Sequence, residues 1–217
     1  MSLLDSYLIG KYLLTKKVVI GVVVFAGLIF SNTIYKNFHE EYSTASKLEN
    51  IAEEAPTVEN FRNVSYHYYT HESWEEAISF ATKGLEISPN ELWLNSIIGR
   101  SYVELRNFDL AILYLQREVK ANSDCELEYY WLGMSLNRVE EYSKALMYLK
   151  KITTRKKSRV MIEAIREEGS SYQGLGKTKE ACKCWNSIEN RDTDASYKYE
   201  LFCIKKEKLE NKVRSPH

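Results

Sequence analysis

Glycine and proline are scarce in this chain, 9 and 3 among 217 residues. So few turn-forming residues exclude a sandwich or barrel built from many short strands. Leu, Ala, Glu and Lys are plentiful instead, and the composition points to an all-α protein. Excess charge of either sign is also missing. Lys plus Arg number 30 and Asp plus Glu number 30, so no bulk positive field recommends a nucleic acid as partner. The four cysteines, Cys125, Cys182, Cys184 and Cys203, lack the paired spacing of a zinc site and are too few for a disulfide scaffold. They are expected as buried free thiols. Cys182 and Cys184 lie two apart on a predicted helix, so they face different sides and do not readily bridge each other. A bond from one of them to Cys203 stays open if the compartment is oxidising.

Catalytic patterns are missing as well. His67 and His71 are four apart on one helical face, but no HExxH pattern or third ligand accompanies them. They read as a solvated pair. The stretch "GLGKTKEA" from Gly174 lacks the leading glycine and spacing of a phosphate loop. No serine, cysteine or carboxylate constellation stands out. Neither an enzyme nor a cofactor, metal or small-molecule substrate is expected.

What the chain does contain is one long apolar run, "VVIGVVVFAGLIFSNTIY", from Val18 to Tyr35. It carries no charge and no polar stripe, and it approaches the roughly 20 residues that cross a bilayer core. Lys16, Lys17 and Lys36 bound it and can snorkel. A cleaved signal peptide is the rival reading, but no convincing small-x-small pair follows the run. An uncleaved anchor over 18–35 is therefore expected. Lys11, Lys16 and Lys17 precede the span, whereas Lys36, Glu40 and Glu41 follow it. The positive-inside tendency places the amino end in the cytoplasm and the bulk of the chain across the membrane, in a bacterium the periplasm. An organelle membrane with the domain facing the cytosol is the alternative. Residues 1–17, with apolar positions 3, 4, 7, 8, 12 and 13, are expected as a cytoplasmic or interfacial segment. Residues 36–57 read as a stalk helix, through Phe38, Tyr42, Ala45, Leu48 and Ile51.

Beyond the stalk the chain repeats itself. Ala77, Ala111, Ala145 and Ala181 are separated by 34, 34 and 36 residues. Ser65, Gly99, Gly133 and Gly169 follow the same intervals, as do Tyr68, Tyr102, Leu136 and Tyr172. Small residues at fixed slots let paired helices approach, and large ones fill the space between units.

These columns resemble the tetratricopeptide repeat, a 34-residue helix-turn-helix unit with a W-x2-L-G-x2-Y, A-x3-F and Pro pattern. The match covers 58–195. "WEEAISFATKGLEISPN" fits the second half of the first unit through Ala77, Gly84 and Pro89. Ile98, Gly99, Tyr102, Ala111 and Leu115 fill the second unit; Tyr129, Leu132, Gly133, Leu136, Ala145 and Leu149 the third; Ile165, Gly169, Tyr172, Ala181 and Trp185 the fourth. Two departures fall near the carboxyl end: Glu168 sits in an aliphatic slot, and "KKITTRKKSRVM" lengthens the third unit. Residues 196–217 are expected as a capping helix and tail, with Tyr199, Phe202, Cys203 and Leu209 inward. The expectation is an all-α chain: a transmembrane helix, an α-solenoid of about four such units and a cap.

The resemblance implies a protein-binding groove lined by the first helix of each unit. Residues left over from packing there would be Arg62, Tyr66 and Tyr69; Trp93, Ile97, Arg100 and Val103; Leu127, Tyr130, Trp131, Met134 and Arg138; and Arg166. Some relatives grip acidic chaperone tails with a multi-cation clamp. Here the corresponding places hold Arg62, Tyr66, Ile97, Leu127 and Trp131, so that docking is not expected. The chain resembles small membrane-anchored proteins of this repeat class that act as scaffolds in assembling membrane or envelope complexes. The alternative is a chaperone-like receptor for unfolded or targeting segments during secretion or import.

Overall fold

The computed structural model describes residues 36, 43–122, 124–152 and 159–205. The expected span over 18–35 and Leu209 lie outside them. Among the described residues, no helix is long and apolar enough to cross a membrane. The chain divides into two compact units, 1–53 and 54–217. In the first, the described residues, 36 and 43–53, are helical, and the helix α1 runs over 43–54.

The second unit is a series of helical hairpins. Its helices are α2 (Val58–Thr70), α3 (Trp74–Ile87), α4 (Leu94–Glu104), α5 (Phe108–Ala121), α6 (Glu126–Arg138), α7 (Tyr142–Leu149), α8 (Arg159–Gly174), α9 (Thr178–Ile188) and α10 (Thr193–Tyr199). A π-helical stretch, Glu200–Ile204, continues α10. Side-chain caps open several helices: Thr57 accepts from the Asn60 N–H, Asn107 from Leu110 and Asp192 from Ala195. Each cap satisfies a backbone donor that the first helical turn leaves unpaired.

Every hairpin turn is built alike. Glu72, Arg106, Glu140 and Gly176 have φ of 62°, 57°, 62° and 70°. The next residue's N–H donates five positions back, from Ser73 to Tyr68, Asn107 to Tyr102, Glu141 to Leu136 and Lys177 to Tyr172, at 2.8–3.0 Å. A second bond runs three positions back, as from Arg106 to Val103. This pair of bonds is the Schellman closure, which takes up the last carbonyls of the first helix. Three of the four left-handed positions are filled by long polar residues that carry the strain of a Cβ.

The contact within each hairpin also recurs. A Cβ on Gly99 would lie 2.7 Å from the Leu115 side chain, and one on Gly133 would lie 2.5 Å from Leu149. Gly169 faces Trp185 still more closely. At the same interval of 16 the first hairpin has Ser65 and Ala81, both fully buried. Where the first partner gains a side chain, the second is small; where the first is glycine, the second is Leu or Trp.

Successive helices pack on one another, and α2, α4, α6 and α8 also touch in that order, while the second helices make no comparable contacts among themselves. The first helices therefore stand closer together and form the inner face of the solenoid. The core follows the expected slots: Tyr129, Leu132 and Leu136 are buried, as are Ala111, Leu115, Ala145 and Leu149. At the carboxyl end Ala181, Trp185, Ile188 and Ala195 form a cluster against which Tyr199, Phe202 and Cys203 pack. Cys182 is bonded to Cys203, so the expectation of free thiols holds only for Cys125 and Cys184. The sulfur pair joins α9 to the π-helical stretch.

Candidate functional site

The side chains predicted to line a groove lie on the first helices or, for Trp93, just before one, and their exposure sorts them. Tyr66 and Trp93 are exposed, at 57% and 62%. Tyr69, Arg100, Leu127, Trp131 and Met134 are half-buried, and Arg138 is open to solvent. Three expectations are corrected: Ile97, Val103 and Tyr130 are buried, Tyr130 to 5% exposure. Consecutive helical residues point about 100° apart, and the prediction assumed that a residue outside the motif's packing slots faces solvent. Here α8 closes against α6 and covers Tyr130, which joins the cluster containing Leu132, Leu136 and Ala164. Burial pushes its hydroxyl up to about 12, and Glu163 and Glu167 add to the effect against the opposing pull of Arg166.

A ladder of three rings and one guanidinium group runs across these helices. The Arg100 guanidinium lies 4.6 Å from the centre of the Tyr69 ring and 5.8 Å from that of Trp131. Trp131 in turn meets Tyr130, ring centres 5.3 Å apart. Burial raises the Tyr69 hydroxyl above its ordinary value, and the Arg100 charge opposes that. Desolvated cation–π contacts of this kind contribute on the order of 1–2 kcal/mol.

The arginines differ in how their charge is met. Arg62 pairs with Glu91 at 3.3 Å, Arg138 with Glu167 at 3.6 Å and Arg166 with Asp192 at 2.8 Å. Asp192 also caps α10, so Arg166 ties the last complete hairpin to the cap. Behind this row runs a buried polar network. Asn137 Nδ2 donates to Glu167 Oε2 and to its carbonyl, both at 3.0 Å, and Ser171 Oγ donates to Asn137 Oδ1 at 2.6 Å.

Sequence reasoning missed Glu118. This α5 carboxylate is 3% exposed and accepts the Trp93 N–H at 3.2 Å, at the start of α4. Burial raises its pKa, backbone bonds from Trp93 and Ser96 oppose the rise, and Glu128 and Glu91 add to it. The signal was present as a column: Gly84, Glu118 and Ile152 occupy the same repeat position, and one of three is charged. The residue it holds is unusual. Trp93 has φ 78° and ψ −38°, a strained conformation for a bulky side chain. Such strain persists only where the surroundings enforce it. Here the buried carboxylate grips the peptide while the indole stays in solvent.

The solenoid has the tetratricopeptide-repeat fold. Among solved structures, MamA is similar over 75% of this chain and 95% of its own, with 22% identity and a TM-score of 0.64. YrrB, described as a TPR protein with an unusual peptide-binding site, is similar over 78% and 88%, with 20% identity and a TM-score of 0.66. MamA from Desulfovibrio magneticus RS-1 is similar over 69% and 84%, with 17% identity and a TM-score of 0.62. No protein-family model and no curated protein sequence matches the chain.

Proposed function

We propose that this chain is a membrane-anchored scaffold whose inner face, built by α2, α4, α6 and α8, holds a protein partner during assembly of a membrane or envelope complex. One observation carries the reading: Trp93, an exposed indole on a strained peptide held by a buried carboxylate. Exposed aromatics of this kind are typical binding anchors, and Tyr66 adds a second on the neighbouring first helix. The peptide-binding site named for YrrB supports the same class of function. The apolar run over 18–35 supplies the anchor, which raises the effective concentration of membrane-bound partners. The Cys182–Cys203 bond favours a domain in an oxidising compartment, in keeping with the lysine asymmetry around the run.

Affinity purification of the detergent-solubilised full-length chain after crosslinking tests the proposal. Trp93→Ala combined with Tyr66→Ala is expected to remove the recovered partner while leaving the helical circular dichroism unchanged, since both side chains are largely in solvent. Recovery at the level of the parent chain would refute the inner face as the binding surface.

A further inference from the structure

On the reading that the chain is membrane-anchored, a run over 18–35 keeps the solenoid near a bilayer. The second helices, α3, α5, α7 and α9, lie on the side away from the inner face, and their exposed charges are unevenly shared. On α3, Glu75, Glu76 and Glu86 outnumber Lys83. From α5 onward the sign reverses: Arg117, Lys120, Lys144, Lys151, Lys179 and Lys183 are exposed, against Asp109, Glu141 and Glu180. Of these acids, Glu141 pairs with Lys144 at 3.2 Å. The whole chain has equal numbers of acidic and basic residues, so the surplus is a local segregation of charge and not a general positive excess.

Two repeat positions give this face its form. Lys83, Arg117 and Lys151 share one of them, and each cation lies over the ring three residues before it, at 4.6 Å from Phe80, 5.0 Å from Tyr114 and 5.3 Å from Tyr148. A ring seats a cation at the surface without neutralising it. One helical turn earlier, a second position holds Ser79, Leu113, Met147 and Lys183. It is apolar only on α5 and α7, where Leu113 and Met147 are 42% and 52% exposed. Each therefore shares a helical face with a ring-borne cation, Leu113 with Arg117 and Met147 with Lys151. Protein interfaces are depleted in lysine, whereas apolar tips surrounded by Lys and Arg suit the boundary between lipid headgroups and acyl chains.

We infer that the outer face formed by α5, α7 and α9 rests on a bilayer surface containing anionic phospholipid, with Leu113 and Met147 dipping between headgroups and the surrounding cations meeting lipid phosphates. The acidic α3 stays off that surface. The inner face then turns away from the bilayer, open to its protein partner.

The full-length chain reconstituted in nanodiscs tests this, with a photoreactive phenylalanine at Met147 and lipid adducts measured by mass spectrometry. Discs of phosphatidylcholine mixed with phosphatidylglycerol should give several-fold more lipid adduct than discs of phosphatidylcholine alone, and added salt should remove the difference, because it screens exposed charges. Lys120→Glu combined with Lys183→Glu, both exposed, should lower the yield several-fold, whereas Lys83→Glu on α3 should leave it unchanged. Equal yield in the two kinds of disc, a double reversal without effect, or as much lipid adduct from Trp93 as from Met147 overturns the inference while the anchor stands. So do adducts from Met147 to a protein in place of lipid in native membranes, which would assign this face to an acidic protein. A full-length chain that alkaline carbonate releases from membranes overturns the anchored reading itself and the inference with it.

Discussion

Inside the hairpins the same solution recurs: Gly99 against Leu115, Gly133 against Leu149, Gly169 against Trp185, each closed by a turn with a left-handed residue. Across the inner face the joints between neighbouring units are less uniform, although an arginine–carboxylate pair recurs at three of them. An ion pair joins Arg62 to Glu91, a hydroxyl joins Ser96 to Glu128 at 2.7 Å, an amide joins Asn137 to Glu167, and Arg166 ends the row on Asp192. The difference separates two tasks. Packing within a hairpin needs only complementary volume, so one rule can be repeated; recognition needs chemistry that is not repeated.

The volume rule can be broken directly. Gly133→Ser should destabilise by about 1–3 kcal/mol through overpacking, and Leu149→Ala by about 2–5 kcal/mol through the cavity it leaves. Because Ser65 and Ala81 already form that combination in the first hairpin, the double variant should cost clearly less than the sum. A coupling of at least about 1 kcal/mol in denaturant unfolding is expected. Strict additivity would mean that the slots pack independently.

The support behind Trp93 should respond through a single buried charge on α5. Glu118→Ala removes the acceptor for the Trp93 peptide and should cost about 1 kcal/mol, the usual loss for a missing cap. Glu118→Gln keeps an acceptor and removes the titration. A carboxyl whose pKa is raised by burial binds its proton more tightly in the folded chain. Its contribution is therefore most favourable below the ordinary carboxylate range and is lost as pH rises through the raised value. Stability of the parent chain should fall across that window, and Glu118→Gln should make the fall shallower; unfolding at several pH values measures it. An unchanged slope would show that Glu118 is as solvated as in the unfolded chain.

Smallest is the effect of the turns. Glu72→Gly, Arg106→Gly and Glu140→Gly should each raise stability by about 0.5 kcal/mol. Relief of left-handed strain exceeds the entropy that glycine adds to the unfolded chain. Similar gains in three hairpins would underline how uniform that region is.

The two regions were not equally legible in the sequence. The hairpin rule was visible because recurrence in register is a signal one sequence can supply; Tyr129, Leu132 and Leu136 fell where the columns placed them. The inner face was legible only as the remainder. That sufficed for the exposure of Tyr66 and Trp93 but not for Tyr130, which the next hairpin buries. Nor could spacing reveal that Arg166 is held by Asp192, or that Cys182 rather than Cys184 meets Cys203. Those contacts join single positions on different elements and have no period.

Site-specific photocrosslinking in the full-length chain tests the division of tasks most directly. A photoreactive phenylalanine at Tyr66 on α2, or at Trp93 immediately before α4, is compared with one at Leu113 or Met147, exposed on the second helices. Adducts to a discrete partner from the inner positions alone are predicted. Equal yield from Leu113 and Met147, with none from Trp93 and Tyr66, would contradict the account.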